Sequence, residues 1–295
     1  AAVLSDVLKI AHPVTVVGRG KGMPTEADIM AEAGIRFATR DGRIVTARDA
    51  VKGVIDPNER GLVAVMPVKG PIMMDDNCGD VGTRRLSGWL QEFDNDPAID
   101  GTVLELDTPG GDGTAMFQMS DAMNGLKKPI VGRTDYGMAC SAGIGIGTSC
   151  DLLFAGNEID ELGSIGTYVT LADWAGFAKS KGLNVHSIYA TLSTEKNRDF
   201  REALLADPAN PADPKYTRLR QNYIDPFNER FINRVKSNRP GVKDDKGMFN
   251  GAVFEAKQAE ALGLIDGTGV SLEEAVKHVR SLITKTPVTA HDALI

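Results

Sequence analysis

Residues 136–150 run Tyr-Gly-Met-Ala-Cys-Ser-Ala-Gly-Ile-Gly-Ile-Gly-Thr-Ser-Cys, and the fold turns on what this segment becomes. An apolar run, Pro129 to Gly132, comes before it and another, Leu152 to Gly156, comes after it, each short enough to be a buried strand. Between them one hydroxyl, Ser141, is ringed by small residues, with Gly137 before it and Gly143, Gly145 and Gly147 after it. Glycine belongs where a backbone must approach another backbone, or a ligand, closely. A serine entering a glycine-rich turn from strand to helix can be exposed as a nucleophile, with backbone N–H groups aimed at a developing anion. A tightly packed Gly/Ala helix in an α/β core explains the same letters equally well.

Working outward, the flanking sequence has the rhythm of a mostly parallel sheet. Leu62 to Val68 is a continuous apolar strand, and Leu86 to Phe93 is a helix with Leu86, Trp89, Leu90 and Phe93 on one face. A strand over 101–106 leads into Asp107-Thr108-Pro109-Gly110-Gly111, and a helix over 115–126 leads to the strand at 129–132. Strand and helix alternate, and the strands are apolar throughout, as in a parallel sheet covered on both faces. Beyond Ser141 the pattern predicts strands at 167–171 and near 186–189, a helix over 174–181 and a polar loop over 191–200. It also predicts an amphipathic helix over 215–238 broken near Pro226, a helix over 255–262 stopped by Gly263, and a last helix from a Ser271/Glu274 capping box. Residues 1–58 form an N-terminal appendage, with a short helix on Val3, Val7 and Ile10, a helix over 26–33 and a strand at 42–46. Residues 59–285 form the main domain and 286–295 a tail.

Composition narrows the class. At 295 residues the chain can bury a sizeable core. A net charge of −7 with no Lys/Arg block argues against nucleic acid as a partner. Cys78, Cys140 and Cys150 form no CxxC pair, which suits a reducing compartment and offers no zinc framework. No apolar run is long enough to span a membrane, and the first ten residues lack the features of a signal peptide, so a cytoplasmic location is expected.

A serine nucleophile needs a base, an oxyanion hole and a group that orients the base. His12 and His291 lie near the termini and His278 on the last helix; His186, on an expected strand, is as easily structural. A lysine can serve instead if its surroundings keep it neutral, at a cost on the order of 4–5 kcal/mol for a shift from about 10.4 to near 7.

Five segments, in order and spacing, resemble the signal peptide peptidase A (protease IV) family of serine peptidases, which includes head-maturation proteases of tailed phages. They are Gly61 to Gly70, Asp107 to Gly111, Met138 to Gly143, Gly163-Ser164-Ile165-Gly166 and Ala259 to Asp266. The resemblance covers roughly residues 60–285. It implies a Clp protease/crotonase-like α/β fold, no cofactor, a Ser–Lys dyad, a homo-oligomer and polypeptide substrates, among them capsid and scaffold proteins. Carried over by residue, Ser141 matches the nucleophile, Lys196 the base and Ser164 the serine that orients the lysine, with the N–H groups of Gly111 and Ala142 as the oxyanion hole. The segment around Lys196 departs from the family's usual neighbourhood, and Lys179 and Lys181 are weaker candidates on an expected helix. The alternatives are a bacterial housekeeping relative, a crotonase-type acyl-CoA enzyme and a non-catalytic structural relative. A Ser–His–Asp arrangement is disfavoured because residues 163–166 hold no histidine.

Overall fold

The computed structural model describes residues 25–56, 58–77 and 80–283. The helix expected on Val3, Val7 and Ile10, and the tail at 286–295, lie outside them. The described residues divide into two compact units: those up to Ile165 together with those from Arg234, and Gly166–Asn233.

The first unit holds one sheet. In chain order it contains α1 (Glu26–Glu32), β1 (Arg36–Ala38), β2 (Ile44–Thr46), α2 (Ala47–Val51), β3 (Leu62–Lys69), α3 (Thr83–Asn95), β4 (Ile99–Thr108) and α4 (Gly113–Asn124). Then come β5 (Ile130–Cys140), α5 (Ala142–Gly147), β6 (Leu152–Ala155) and β7 (Glu161–Gly163). After the second unit the chain returns with β8 (Val253–Glu255), α9 (Ala256–Ala261), β9 (Gly267–Thr268) and α10 (Leu272–Ile283). The strand order is β2-β1-β3-β4-β5-β6-β9, with β7 on β5 and β8 on β7. From β3 to β9 every pairing on this path is parallel; β1 joins β2 and β3 antiparallel, so described residues before 58 extend the same sheet. The architecture is therefore mixed α/β, with a mostly parallel sheet and flanking helices.

Apolar strands buried on both faces account for this arrangement. On one face Val63, Val65, Val103 and Val131 pack with Phe154 and with Ala275, Val276 and Val279 of α10. The alternate residues Ala64, Met66 and Leu104 are also fully buried, on the face of the β-α-β crossover helices α3 and α4.

One irregularity shapes the site. Leu106 pairs with Thr134 and Thr108 with Ala139, so β5 carries three more residues than β4 across this interval. Below the bulge β5 pairs with β6 as far as Thr134; above it, Met138 to Cys140 pair with β7. The strand expected to stop at Gly132 thus runs to Cys140, because β7, too short to show a period in the sequence, gives its upper half a partner.

The second unit contains α6 (Ala175–Ser180) and α7 (Arg198–Ala203). The strands expected at 167–171 and 186–189 are absent. These segments find no neighbouring strand among the described residues, and Tyr168 and Ile188 are 87% and 94% exposed. The polar segment 191–200 is made of turns up to the start of α7. The helix expected over 215–238 is broken where predicted: a π-helical turn, Arg220–Ile224, leads into α8 (Asp225–Asn238). Pro226 has no N–H to continue an α-helical ladder, which locates the irregularity. Helix α8 crosses from the second unit's residues into the first's.

Candidate active site

Ser141 is the single residue between β5 and α5. Its backbone has φ 52 and ψ −120, which an L-residue adopts only under constraint, and such strain is typical of functional turns. The constraint is visible on both sides. The Ser141 N–H donates to the Gly163 carbonyl at 2.9 Å, and the Ser141 carbonyl accepts from the Gly145 N–H at 3.1 Å. The hydroxyl makes no bond to the helix it precedes. All six residues of α5 are buried, so the glycines after Ser141 are packing positions. Gly143 lies where a Cβ would stand 2.4 Å from the Thr108 methyl carbon.

Ser164 occupies the matching place on the adjoining strand. Met138 pairs with Glu161, Ala139 with Leu162 and Cys140 with Gly163, so Ser141 and Ser164 each directly follow the last paired position. Ser164 too has a positive φ, 54, and its N–H donates to the Ala252 carbonyl at 2.7 Å. Both serines are half-buried.

The third wall is the turn after β4. The Gly110 N–H donates to the Thr108 hydroxyl at 3.0 Å, and Gly110 has φ 104. Ile72 then forms a parallel bridge to Gly111, with the Ile72 N–H donating to the Gly110 carbonyl and the Asp112 N–H to the Ile72 carbonyl, both at 2.8 Å. In such a bridge the central residue's own N–H points away from its partner. The Gly111 N–H therefore faces away from Ile72, in a turn where a Cβ on the neighbouring Gly110 would stand 2.5 Å from the Cβ of Ser141. Ala142 is the first helical residue, and its N–H has no carbonyl one turn behind it.

Ser141, Ser164, Gly111 and Ala142 are thus brought to one end of the sheet. Lys196 belongs to the second unit, where it is exposed in a turn closed by its N–H to the Ser193 carbonyl at 3.2 Å. Lys179 and Lys181 also belong to that unit, as does His186. His278, in the first unit, stacks on Phe154 at 4.6 Å. Cys140, next to Ser141, does not compete as a nucleophile: burial, with Glu161 second, pushes its thiol up to about 11.

The sequence reading missed three residues here. Gly110, not only Gly111, is required, because a Cβ there would stand 2.5 Å from the Cβ of Ser141. Tyr136 lies in the β5 bulge with φ 53 and is 79% exposed. Asp160 is fully buried behind the bulge. The local hint is Asn157, whose Oδ1 accepts from the Ile159 N–H at 3.1 Å in an Asx-type turn while its side-chain amide donates to Asp160 at 2.9 Å.

The family model described as Peptidase family S49 matches residues 123–284, more than half of the chain. The chain belongs to this family. Among its relatives, the head-tail preconnector protein GP5 of Enterobacteria phage P21 is 26% identical over 211 residues, covering 69% of this chain and 40% of that protein. A putative signal peptide peptidase SppA of Enterococcus faecium is 25% identical, over 65% of this chain and 53% of that protein. The capsid assembly protease C of Escherichia phage lambda is 26% identical, over 43% of this chain and 30% of that protein. The chain thus spans between about a third and about half of the length of these relatives. No described helix is long and apolar enough to cross a membrane.

Proposed function

We propose that this chain is a serine peptidase in which Ser141 is the nucleophile and Lys196 the general base. In the proposed reaction the amine form of the Lys196 side chain takes the proton from the Ser141 hydroxyl, and Oγ bonds to a peptide carbonyl carbon. The N–H groups of Gly111 and Ala142 hold the oxyanion, Ser164 orients the lysine, and the lysine proton passes to the departing amine. Water then adds to the acyl-enzyme and releases Ser141. The observation that carries the reading is that Ser141 and Ser164, both at positive φ, directly follow the paired residues Cys140 and Gly163, with Gly110 of the neighbouring turn close against Ser141.

The relatives named for head-tail and capsid assembly support substrates among capsid and scaffold proteins. The same reading has the chain act as a homo-oligomer in the cytoplasm of an infected cell. The Enterococcus faecium relative favours a second reading, a bacterial housekeeping peptidase. The test is incubation of wild type, Ser141→Ala and Lys196→Ala with candidate capsid and scaffold proteins, with products followed by intact mass. Cleavage by the wild type, lost in both variants, is expected. Cleavage that survives in Ser141→Ala would refute the assignment.

A further inference from the structure

Asp160 is a carboxylate with no exposed surface and, among the described residues, no ion pair. It is held by hydrogen bonds alone. Its Oδ2 accepts from the Thr134 hydroxyl at 2.6 Å, the Gly156 N–H at 3.0 Å and the Asn157 N–H at 3.4 Å. Its Oδ1 accepts from the Gly137 N–H at 3.0 Å and the Asn157 side-chain amide at 2.9 Å. A buried carboxylate is costly unless its lone pairs are filled in this way, so the five donors form one unit with it.

Where these donors lie gives the bonds their consequence. Thr134 is the last residue of β5 to pair with β6, and Gly137 directly precedes the first to pair with β7. Asp160 directly precedes Glu161, the first residue of β7, so the Gly137–Asp160 bond occupies the position where the β5–β7 ladder begins. A three-residue strand specifies its register weakly by itself. A slip of one residue would set Gly163 or Ile165 beside Ser141 in place of Ser164, and would turn Leu162, fully buried, out of the core.

We propose that Asp160 is a positioning residue that fixes the register of β7 on β5 across the bulge, and so holds Ser164 beside Ser141. This rests on the reading of Ser141 as nucleophile. Asparagine cannot replace the carboxylate, because its amide nitrogen would face N–H donors.

The test uses the full chain and a peptide p-nitrophenyl ester, following the pre-steady-state burst. Burst amplitude counts competent molecules; the burst rate constant reports geometry at Ser141. Two variants are compared with wild type: Asp160→Asn, and Thr134→Val, which keeps the carboxylate and removes one of its donors. The burst rate constant is expected to fall roughly tenfold to a hundredfold in Asp160→Asn, at wild-type amplitude. A smaller fall, roughly threefold to tenfold, is expected in Thr134→Val, and this variant decides the matter if the first does not fold. A wild-type rate constant in folded variants, or a reduced amplitude at a wild-type rate constant, would overturn the proposal and leave Asp160 a stabilising residue. A wild type with no burst and no turnover would overturn the assignment of Ser141 itself, and the positioning role with it.

Discussion

A methyl group on Gly110 would place its carbon 2.5 Å from the Cβ of Ser141. It would also stand 2.9 Å from the Ala142 nitrogen, and the backbone there has φ 104. Gly110→Ala must therefore move either the turn that carries the Gly111 N–H or the strand-to-helix corner. A stability loss of about 1–3 kcal/mol is expected from strain and overpacking. Activity should fall further, because either movement changes the spacing of the two N–H groups proposed to hold the oxyanion, by roughly a hundredfold for a displacement near 1 Å. Urea unfolding and ester hydrolysis on the same samples check the two effects. Gly88, inside α3 with nothing within 4 Å of the place a Cβ would take, is the control: Gly88→Ala should stabilise by about 0.5–1 kcal/mol and leave activity unchanged.

Glu92 on α3 gives a pH dependence with a definite sign. Burial, and then the charge of Glu26, push its carboxyl from 4.5 up to about 7. The folded chain therefore holds this proton more tightly than the unfolded chain. Its contribution is fully present below about pH 4.5, falls as pH rises, and is gone above about pH 7. Glu92→Gln should remove that slope. In urea titrations at pH 5 and pH 8, the variant's advantage over wild type is expected to grow at pH 8, by on the order of 1–3 kcal/mol. An equal difference at both pH values would contradict the assignment.

Glu105 sits between two guanidinium groups on the sheet. It pairs with Arg36 and, at 3.0 Å, with Arg133, whose side chain is 3% exposed. Arg133 also reaches Asp135 at 3.1 Å and donates to the Val270 carbonyl at 3.3 Å. Glu105→Ala would leave a buried guanidinium short of its main partner, at a cost of about 3 kcal/mol. The double variant Glu105→Ala/Arg133→Met should recover most of that loss, because no buried charge is then left unpaired. Chemical denaturation of the two variants measures both changes.

Much of this was legible in the sequence, for physical reasons that differ by element. The strands β3 and β4 could be read because a sheet covered on both faces demands continuous apolar runs. The last helix could be read from its cap: the Ser271 hydroxyl accepts from the Glu274 N–H at 3.2 Å, and the Glu274 carboxylate from the Ser271 N–H at 2.8 Å. Ser141 stood out because glycines isolate it. By contrast β7 and β8 have one inward apolar residue each, Leu162 and Phe254, too few to show a period. The upper half of β5 was hidden because Asp135, Tyr136 and Gly137 form a bulge and resemble a turn. Nothing in the local sequence marks Asp160 as a buried acid. Its burial depends on donors from Thr134 and Gly137, which only the paired strands bring to it. The β-branched and aromatic residues at 167–171 suggest a strand, but such residues make a strand only where another offers its hydrogen bonds.

The strand that leads to Ser164 carries a removable repulsion. Glu161 of β7 and Glu255 of β8 are directly opposed in an antiparallel pair, and both are exposed. Like charges in such a pair oppose each other at a Cβ separation of about 4.5–5.5 Å, where opposite charges gain roughly 0.2–1 kcal/mol. Glu255→Lys converts the first case into the second, so a gain of about 0.5–1 kcal/mol is expected at low salt. Salt at about 1 M shortens the screening length to roughly 3 Å, so the gain should shrink towards zero there. A gain that is the same at both salt concentrations would mean that packing or strand propensity, not charge, separates the two side chains. Because β7 also sets the place of Ser164, the same variant should leave the burst rate constant of ester hydrolysis within about twofold of wild type: the change strengthens the strand pair without shifting its register.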